Sequence, residues 1–443
     1  MTSAQKPGAR RTRSSRSKAA SVRRVAIIGG NRIPFARSNG PYADASNQDM
    51  LTAAIDGLIS RFSLQGEQLG EVAAGAVLKH ARDFNLARES VLGSKLAPTT
   101  PAADVQMACG TGLQAIINVA NKIALGQLDS AIAGGVDTTS DAPLAVNDSL
   151  RRLLVRSNAA KTMGERMRLL GRLRPGHIVP EIPRNAEPRT GLSMGEHASL
   201  TAKAWDIGRA EQDELAAASH RKLAAAYDRG FFDDLLTSYL GLTRDQNLRA
   251  DSSPEKLGKL KPVFGGPEGT MTAGNSTPLS DGASTVLLAT EQWAKERNLP
   301  VLAYLTPFSQ TAAVDYVHGE EGLLMAPAYA VPRMLARAGM SLGDFDFYEI
   351  HEAFASQVLA TLKAWEDPTF AKERLGLDEP VGSIDREKLN VNGSSLAAGH
   401  PFAATGGRIV GTLAKLLNEK GSGRGLISIC AAGGQGVTAI LEK

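Results

Sequence analysis

Two cysteines, Cys109 and Cys430, are the only ones among 443 residues, and each lies in a glycine-rich turn beside an apolar segment. Cys109 is followed by apolar residues at helical spacing, which are Leu113, Ile116, Ile117, Ala120 and Ala124. We therefore expect Cys109 at a helix N-terminus, where unpaired amides and the helix dipole lower a thiol pKa from about 8.5 and favour the nucleophilic thiolate. From this turn alone, a reactive thiol and a buried structural cysteine are equally good interpretations.

Two of the seven histidines stand in settings that could also support chemistry. His351 follows the end of a predicted strand, and His400 lies in a loop of small residues, 392–401, that lets a ligand approach the backbone. The others are expected to be structural or surface residues: His80, His177, His197, His220 and His318. A zinc site shared by the two cysteines with His351 and His400 is disfavoured, because no pair of them has the short spacing of metal ligands.

The elements that would position these residues alternate between apolar strands and helices. Strands are predicted at 25–28, 131–133, 345–350, 427–430 and 437–441, the last two forming a hairpin around a glycine turn. This alternation predicts an α/β fold. The segments after Cys109 and after His400 both run turn, helix, short gap and strand. We therefore predict a duplicated α/β unit that brings both turns to the same side of the molecule.

Length and composition limit what could surround such a site. A chain of 443 residues exceeds one typical core, so two or three domains are expected. The composition, 43% hydrophobic and 22% charged, is that of a globular protein. No apolar run approaches the roughly 18 to 20 residues of a membrane span, and no signal-peptide core follows the basic start. A reducing intracellular compartment with both thiols free is the expectation.

Basic residues are concentrated in two segments. Residues 1–24 carry eight Lys and Arg and no acid, and the rest of the chain has 42 basic against 46 acidic residues. We expect a solvated, disordered tail there, with a targeting segment and a nucleic-acid contact as alternatives. Residues 151–174 carry eight basic residues and one acid, interleaved with Leu and Met, and predict a basic amphipathic helical region. Such a region suits a membrane surface, an acidic partner, a phosphate-rich ligand or merely solvent.

Several motifs occur in a fixed order along the chain. They are the Cys109 turn, GGVD at 134–137, MGEH at 194–197, TAGNSTPLSDGA at 272–283, HEAF at 351–354, GHP at 399–401 and CAAGG at 430–434. In this order they resemble the motifs of thiolases, the acyl-CoA acetyltransferases of fatty-acid β-oxidation. The resemblance covers roughly residues 23–443.

The resemblance implies a thiolase-like α/β fold, in which two duplicated halves form five layers (αβαβα) and carry an inserted loop domain. Applied to this chain, residues 1–24 are the disordered basic tail. Residues 25–149 and 262–295 form the N-terminal half, residues 150–261 the inserted loop domain, and residues 296–443 the C-terminal half.

Within the family, HEAF at 351–354 resembles the β-subunit of the trifunctional fatty-acid oxidation complex, whereas biosynthetic thiolases usually carry Asn at its first position. The motifs MGER at 163–166 and PEIP at 180–183 also resemble that branch. This favours degradative thiolysis of 3-ketoacyl-CoA over synthesis of acetoacetyl-CoA, and an acetoacetyl-CoA thiolase working in either direction is the alternative.

The resemblance also implies a division of catalytic roles. Cys109 would be the nucleophile that forms the acyl thioester, His400 the base that deprotonates it, and Cys430 the group that exchanges a proton with C2 of acetyl-CoA. The backbone N–H groups of Cys109 and Ala432 would form one oxyanion hole. His400 and a water would form the other, with His351 in place of the asparagine that holds this water in relatives. Whether His351 touches the substrate or only orients water is left open.

Coenzyme A would be the co-substrate, and the resemblance implies no tightly bound cofactor and no metal. CoA would lie across the insertion with its pantetheine arm directed toward Cys109. Met194, Ala273, Thr277 and Phe354 are the expected contacts with substrate or CoA, and Pro278 stands where some relatives have glycine.

Other members of the fold and other partners were weighed against this hypothesis. A 3-ketoacyl synthase is disfavoured because Cys430 lies in its own glycine turn, and a noncatalytic lipid carrier because Cys109, His400 and Cys430 are all present. We expect a homodimer or homotetramer, a multifunctional α-subunit with hydratase and dehydrogenase activity, peripheral contact with a membrane, and no nucleic-acid partner. A bacterial cytoplasm is the expected location, with the mitochondrion as the alternative.

Overall fold

The computed structural model describes residues 22–443, so most of the predicted tail lies outside the described residues. Arg23 and Arg24, which we assigned to the tail, contact the folded chain. Arg23 donates to Asp129 at 2.7 Å, and the Arg24 guanidinium lies 3.5 Å from the centre of the Tyr304 ring. The predicted tail therefore extends too far into the chain.

The described chain contains strands of two to ten residues. In order they are β1 (Val25–Arg32), β2 (Ala36–Arg37), β3 (Glu71–Ala74), β4 (Ala102–Asp104), β5 (Ser130–Asp137), β6 (Ala145–Val146), β7 (Pro180–Glu181), β8 (Pro262–Phe264), β9 (Met271–Thr272), β10 (Ser280–Ala289), β11 (Ala303–Leu305), β12 (Gln310–Ala313), β13 (Phe347–Ile350), β14 (Arg424–Ala431) and β15 (Gln435–Glu442). The predicted C-terminal hairpin is confirmed, since β14 and β15 pair antiparallel.

Helices connect these strands. In order they are α1 (Asn47–Phe62), α2 (Leu86–Gly93), α3 (Thr111–Ala124), α4 (Asp148–Ala159), α5 (Met163–Leu170), α6 (Met194–Ala204), α7 (Arg209–Asp228), α8 (Pro254–Leu257), α9 (Glu291–Glu296), α10 (Ala326–Ala338), α11 (Ala355–Glu366), α12 (Pro368–Phe370), α13 (Ser395–Ala398) and α14 (Thr405–Lys420).

The main sheet of the described chain has two halves with the same topology. In one half, β10 lies antiparallel between β1 and β5, and β3 continues parallel to β5. In the other, β15 lies antiparallel between β11 and β14, and β13 continues parallel to β14. The halves join where β1 pairs with β11. This is the α/β fold with a duplicated unit that the sequence predicts.

Helices and sheet halves alternate in layers because three apolar clusters lie between them. The first cluster packs α1 and α2 against the outer face of the N-terminal half, and the third packs α10 and α11 against the outer face of the C-terminal half. The second fills the centre, where α3 and α14 pack on each other between the two halves. The N-terminal ends of α3 and α14 follow Cys109 and His400, so the layers place the two residues side by side.

The beginning of the insertion carries two helices with an exposed surface. The helical region predicted at 151–174 is confirmed, and it consists of two helices, α4 and α5, that pack on each other. We call residues 144–182 the basic hairpin. Its exposed apolar side chains include Met163, Met167 and Ile178, which are 68%, 60% and 75% accessible. None of the helices within residues 22–443 combines the length and apolar character needed to cross a membrane.

Candidate active site

The turn that carries Cys109 is strained and tightly held. Ala108 adopts a positive φ of 45°, a conformation that residues with a side chain rarely occupy. The Thr111 hydroxyl accepts a hydrogen bond from Met107 N at 2.8 Å and donates to Ala108 O at 2.7 Å. These two bonds fix the turn just before α3, so the position of the Cys109 thiol is set by the backbone.

His400 lies beside this thiol although it is 291 residues away in the chain. His400 Nε2 is 3.1 Å from Cys109 Sγ, which is hydrogen-bonding distance for a nucleophile and its base. The other ring nitrogen, Nδ1, is hydrogen-bonded to the hydroxyl of Thr405, the first residue of α14. The structure thus brings together the two groups to which the resemblance assigns nucleophile and base.

The electrostatics of this pair differ from our expectation. Burial raises the pKa of Cys109 to about 12, and the backbone N–H groups of Ala432 and Cys109 offset only part of this. The expected lowering of this pKa by the helix N-terminus is therefore wrong, because desolvation of the thiolate outweighs it. Burial, with the positive charge of Arg408 as a smaller cause, lowers the pKa of His400 to about 3. Both groups are neutral near pH 7, and a thiolate forms only as its proton moves to His400.

Asp137, the last residue of β5, fixes the loop that carries His400. Its buried carboxylate accepts hydrogen bonds from the amides of Val77, Leu78 and Ala403 at 2.8–3.1 Å. A Cβ atom on Gly135 would lie 2.2 Å from Ala403 O, so this close approach of loop and strand requires glycine. The GGVD motif therefore has a structural role at the site.

A second turn brings Ala432 and Cys430 to the site from the end of β14. The Ala432 N–H is directed at Cys109 Sγ, as an oxyanion donor next to the nucleophile would be. Cys430 is buried, and its pKa is raised by burial and by the neighbouring Cys109, so it holds its proton as a thiol. Both cysteines are free thiols in the structure.

Sequence reasoning missed the residue that holds this second turn. Glu187 of the insertion is buried, and its carboxylate accepts hydrogen bonds from Gly433 N at 2.9 Å and from the Tyr316 hydroxyl at 2.7 Å. These contacts tie the insertion to the backbone one residue beyond Ala432. A lone acid between two motifs gave no signal in the sequence.

His351 completes the group of side chains around the thiol. Its ring centre lies 4.2 Å from that of His400, and its Nδ1 is 2.8 Å from the Ser395 hydroxyl. One sulfur or nitrogen atom from each of Cys109, His351 and His400 lies within 4.8 Å of the others, a cluster that a metal ion could also use. We disfavoured a metal because these residues are far apart in the sequence, and that spacing did not predict this cluster. The absence of a metal stays a prediction.

Of the four residues expected to contact substrate or CoA, two pack in the same cluster as Cys430 and a third bonds beside one of them. Met194 and Phe354 share an apolar cluster with Cys430. Thr277 donates from its backbone N and its hydroxyl to Ala353 O, next to Phe354. Ala273 is exposed on the turn that precedes Thr277. Their roles in binding stay predictions.

The remaining histidines lie away from the catalytic cluster. His197 lies on a cleft of about 500 Å³ and bonds to the Thr190 hydroxyl at 2.8 Å. His220 is buried and accepts from Arg249 N at 3.2 Å. Neither contacts Cys109, which agrees with their expected structural role.

Taken together, the fold and this site define an α/β enzyme that transfers acyl groups through a cysteine thioester. A thiol with an imidazole base can form the thioester, a backbone N–H can stabilise the tetrahedral oxygen, and a second thiol can exchange a proton with carbon.

Comparisons with known proteins show to which family of acyl-transferring enzymes the chain belongs. Residues 25–292 match the family model "Thiolase, N-terminal domain" and residues 299–443 match "Thiolase, C-terminal domain". The chain is 40% identical to a 3-ketoacyl-CoA thiolase of Yersinia pestis, over 95% of this chain and 97% of that protein. The chain therefore belongs to the thiolase family, and it is an acyltransferase.

Solved structures agree with this assignment. The acetyl-CoA acetyltransferase of Bacillus anthracis is similar with a TM-score of 0.78 and 30% identity, covering 95% of this chain and 99% of that one. Human mitochondrial 3-ketoacyl-CoA thiolase, also solved in complex with CoA, is similar with a TM-score of 0.78 and 28% identity, covering 96% and 100%. The predicted thiolase-like α/β fold is confirmed.

Proposed function

We propose that this thiolase cleaves 3-ketoacyl-CoA with CoA to acetyl-CoA and a shortened acyl-CoA in fatty-acid β-oxidation. The observation that carries the proposal is the 3.1 Å contact between Cys109 Sγ and His400 Nε2, with the thiol of Cys430 beside it. The likeness to 3-ketoacyl-CoA thiolases supports the choice of substrate.

The first step forms the acyl-enzyme precursor. As the Cys109 proton moves to His400 Nε2, the sulfur attacks the C3 carbonyl carbon and a C–S bond forms. The N–H groups of Cys109 and Ala432 receive the resulting negative oxygen, and one such donor typically contributes about 3 kcal/mol. Cys109 and His400 are both neutral beforehand, so the proton transfer creates charge in a buried site. This separation of charge becomes favourable only when the two N–H donors stabilise the negative oxygen.

The second step breaks the C2–C3 bond. The electron pair moves to the thioester enolate, the C3 oxygen becomes a carbonyl again, and Cys430 gives its proton to C2 to release acetyl-CoA. Protonated His400 then returns its proton to Cys430, and it takes up the thiol proton of the second CoA as that CoA attacks the acyl group. Cys109 leaves and recovers its proton from His400, so every proton is accounted for. The product exchange gives ping-pong kinetics.

The binding of CoA extends this proposal to the insertion. Met194, Thr277 and Phe354 would line the pantetheine arm near Cys430, with Ala273 further out at the surface. CoA acts as a co-substrate, with no tightly bound cofactor.

The test is thiolysis by the purified full-length chain on 3-ketoacyl-CoA substrates of increasing length, followed as CoA-dependent loss of the magnesium–enolate absorbance. Activity that rises with chain length supports the β-oxidation assignment. Activity confined to acetoacetyl-CoA would assign the chain to short-chain metabolism, and no activity on any substrate would refute the proposal.

We further propose that the basic hairpin is a contact surface for an α-subunit with hydratase and dehydrogenase activity, with an anionic membrane as the alternative. Exposed Met163, Met167 and Ile178 stand among its basic residues, so a partner that fits this surface must offer both apolar and anionic groups. Co-purification of a larger subunit supports the first, and flotation with anionic vesicles supports the second. A chain lacking both interactions contradicts this part of the proposal.

The assembly and location complete the proposal. We propose a homodimer or homotetramer in a bacterial cytoplasm, with the mitochondrion as the alternative location and no nucleic-acid partner. Light scattering of the full-length protein tests the assembly, and a mass of one chain would refute it. Fractionation of the source cells tests the location.

A further inference from the structure

The hydrogen bonds of His351 bear on whether it touches the substrate. His351 is buried at 1% exposure, and its Nδ1 faces the Ser395 hydroxyl at 2.8 Å. Its Nε2, on the other side of the ring, is buried and has no hydrogen-bond partner among residues 22–443. A buried, unpaired ring nitrogen costs free energy, so a partner from outside the chain is expected there.

Arg408 determines which way the Ser395–His351 hydrogen bond runs. Arg408 Nη2 donates to Ser395 Oγ at 2.9 Å, and a guanidinium can only donate. Ser395 is fully buried, and its other neighbour within hydrogen-bonding distance in the described chain is His351 Nδ1. The hydroxyl proton would be buried and unpaired unless Ser395 donates it to Nδ1. Nδ1 is then the acceptor, and the ring proton is on Nε2.

Burial keeps the His351 ring neutral, and nearby positive charge adds to this effect. Burial, His400 and Arg408 together hold the pKa of His351 well below its usual range. The buried carboxyl groups of Glu349 and Glu352 lie near Arg408 and act on its charge. His351 is therefore held in its neutral form, with one ring proton to donate.

We propose that Arg408 and Ser395 are positioning residues that fix His351 as its Nε2–H tautomer, the form in which its unpaired ring nitrogen can donate to the thioester oxygen of the enolate that leaves when C2–C3 breaks. The inference rests on the proposed thiolysis. His351 is then a catalytic residue. The C3 oxygen is held elsewhere, by the amides of Cys109 and Ala432, so His351 acts on the cleavage step alone.

Two neighbouring serines provide a matched pair of variants. Ser394 is as buried as Ser395 and also accepts from Arg408, at 3.1 Å, but its side chain does not bond to His351. Ser395→Ala should lower kcat for thiolysis about 10- to 100-fold, because a tautomer that is no longer fixed loses part of an oxyanion donor. Ser394→Ala should change it less than about threefold, within the range of an indirect packing effect.

A second reaction separates a catalytic effect from a structural one. Exchange of label between acyl-CoA and CoA passes through acyl-Cys109 but forms no enolate, so Ser395→Ala should leave exchange and the KM for 3-ketoacyl-CoA unchanged. An equal loss of thiolysis and exchange would indicate a structural defect and overturn the inference, as would normal thiolysis in Ser395→Ala. If the wild-type chain exchanges acyl groups but cleaves no 3-ketoacyl-CoA, the proposed function fails first.

The tautomer can also be observed directly. In ¹⁵N-histidine spectra of the whole protein, the signal that disappears in His351→Asn should have the Nε2–H pattern in the wild type and change in Ser395→Ala. An Nδ1–H pattern for His351 in the wild type would overturn the inference whatever the kinetics show.

Discussion

Replacement of Thr405 by valine tests how the base is held. The Thr405 hydroxyl is fully buried and bonded to His400 Nδ1, and valine has nearly the same shape without the oxygen. When His400 takes the Cys109 proton, its Nδ1–H must donate to this oxygen. In Thr405→Val that buried donor is unpaired at a cost of about 1–3 kcal/mol. Since about 1.4 kcal/mol is tenfold in rate, thiolysis should fall roughly 5- to 150-fold.

The assay for Thr405→Val uses both half-reactions, because His400 serves the attack of Cys109 in each. Thiolysis and acyl exchange should fall together, in contrast to Ser395→Ala, which should affect thiolysis alone. Thr405→Ser keeps the hydroxyl and loses a methyl group, so it should retain most activity. Normal activity in the valine variant would refute the reasoning. An equal loss in the serine variant would show that the methyl contact, not the hydrogen bond, matters.

Three other predictions follow from buried groups at or near the site. Cys430→Ala should abolish thiolysis but keep acyl exchange between Cys109 and CoA; loss of both would contradict its role as proton donor to C2. Burial raises the pKa of Glu349 to about 8 from an ordinary 4.5, so its protonated form stabilises the fold below pH 4.5 and this contribution is lost as pH rises through about 8. In urea titrations, the free energy of unfolding of Glu349→Gln should therefore rise relative to that of the wild type by about 1.4 kcal/mol per pH unit between pH 4.5 and 8. A difference between the two proteins that does not change with pH would refute the raised pKa. Chelators should leave thiolysis unchanged, and a loss restored by Zn²⁺ would place a metal at the cluster of Cys109, His351 and His400.

The sequence predicted what depends on local pattern. Alternating apolar segments predicted the α/β class and the C-terminal hairpin, and motif order predicted the family. The pKa of Cys109 was predicted in the wrong direction, because the helix N-terminus can be inferred from spacing whereas the desolvation of the thiol depends on distant parts of the chain. The boundary at Arg24 was missed for the same reason, since its contacts are tertiary.

The positioning residues were the least predictable part of the site. Ser395 lies in the loop of small residues at 392–401, and Arg408 lies on α14. Only the tertiary contact between them gives either residue a role at the site. One signal was present, however. Arg408 interrupts a small and apolar run in α14. A charged residue in an element that packs on all sides is rarely buried without a partner, so such residues point to polar networks.

The duplicated topology explains why the site has its particular parts. Cys109 and His400 precede α3 and α14, which occupy equivalent places in the two halves. The ends of β5 and β14 are equivalent as well, because Asp137 pairs with Gly282 on β10 and Cys430 pairs with Gly436 on β15. At the same position one half thus carries a carboxylate that fixes the His400 loop, and the other carries the thiol that would protonate C2. The duplicated unit thus places two turns and two strand ends at one place. The site results from the different residues that the two copies carry at these equivalent positions.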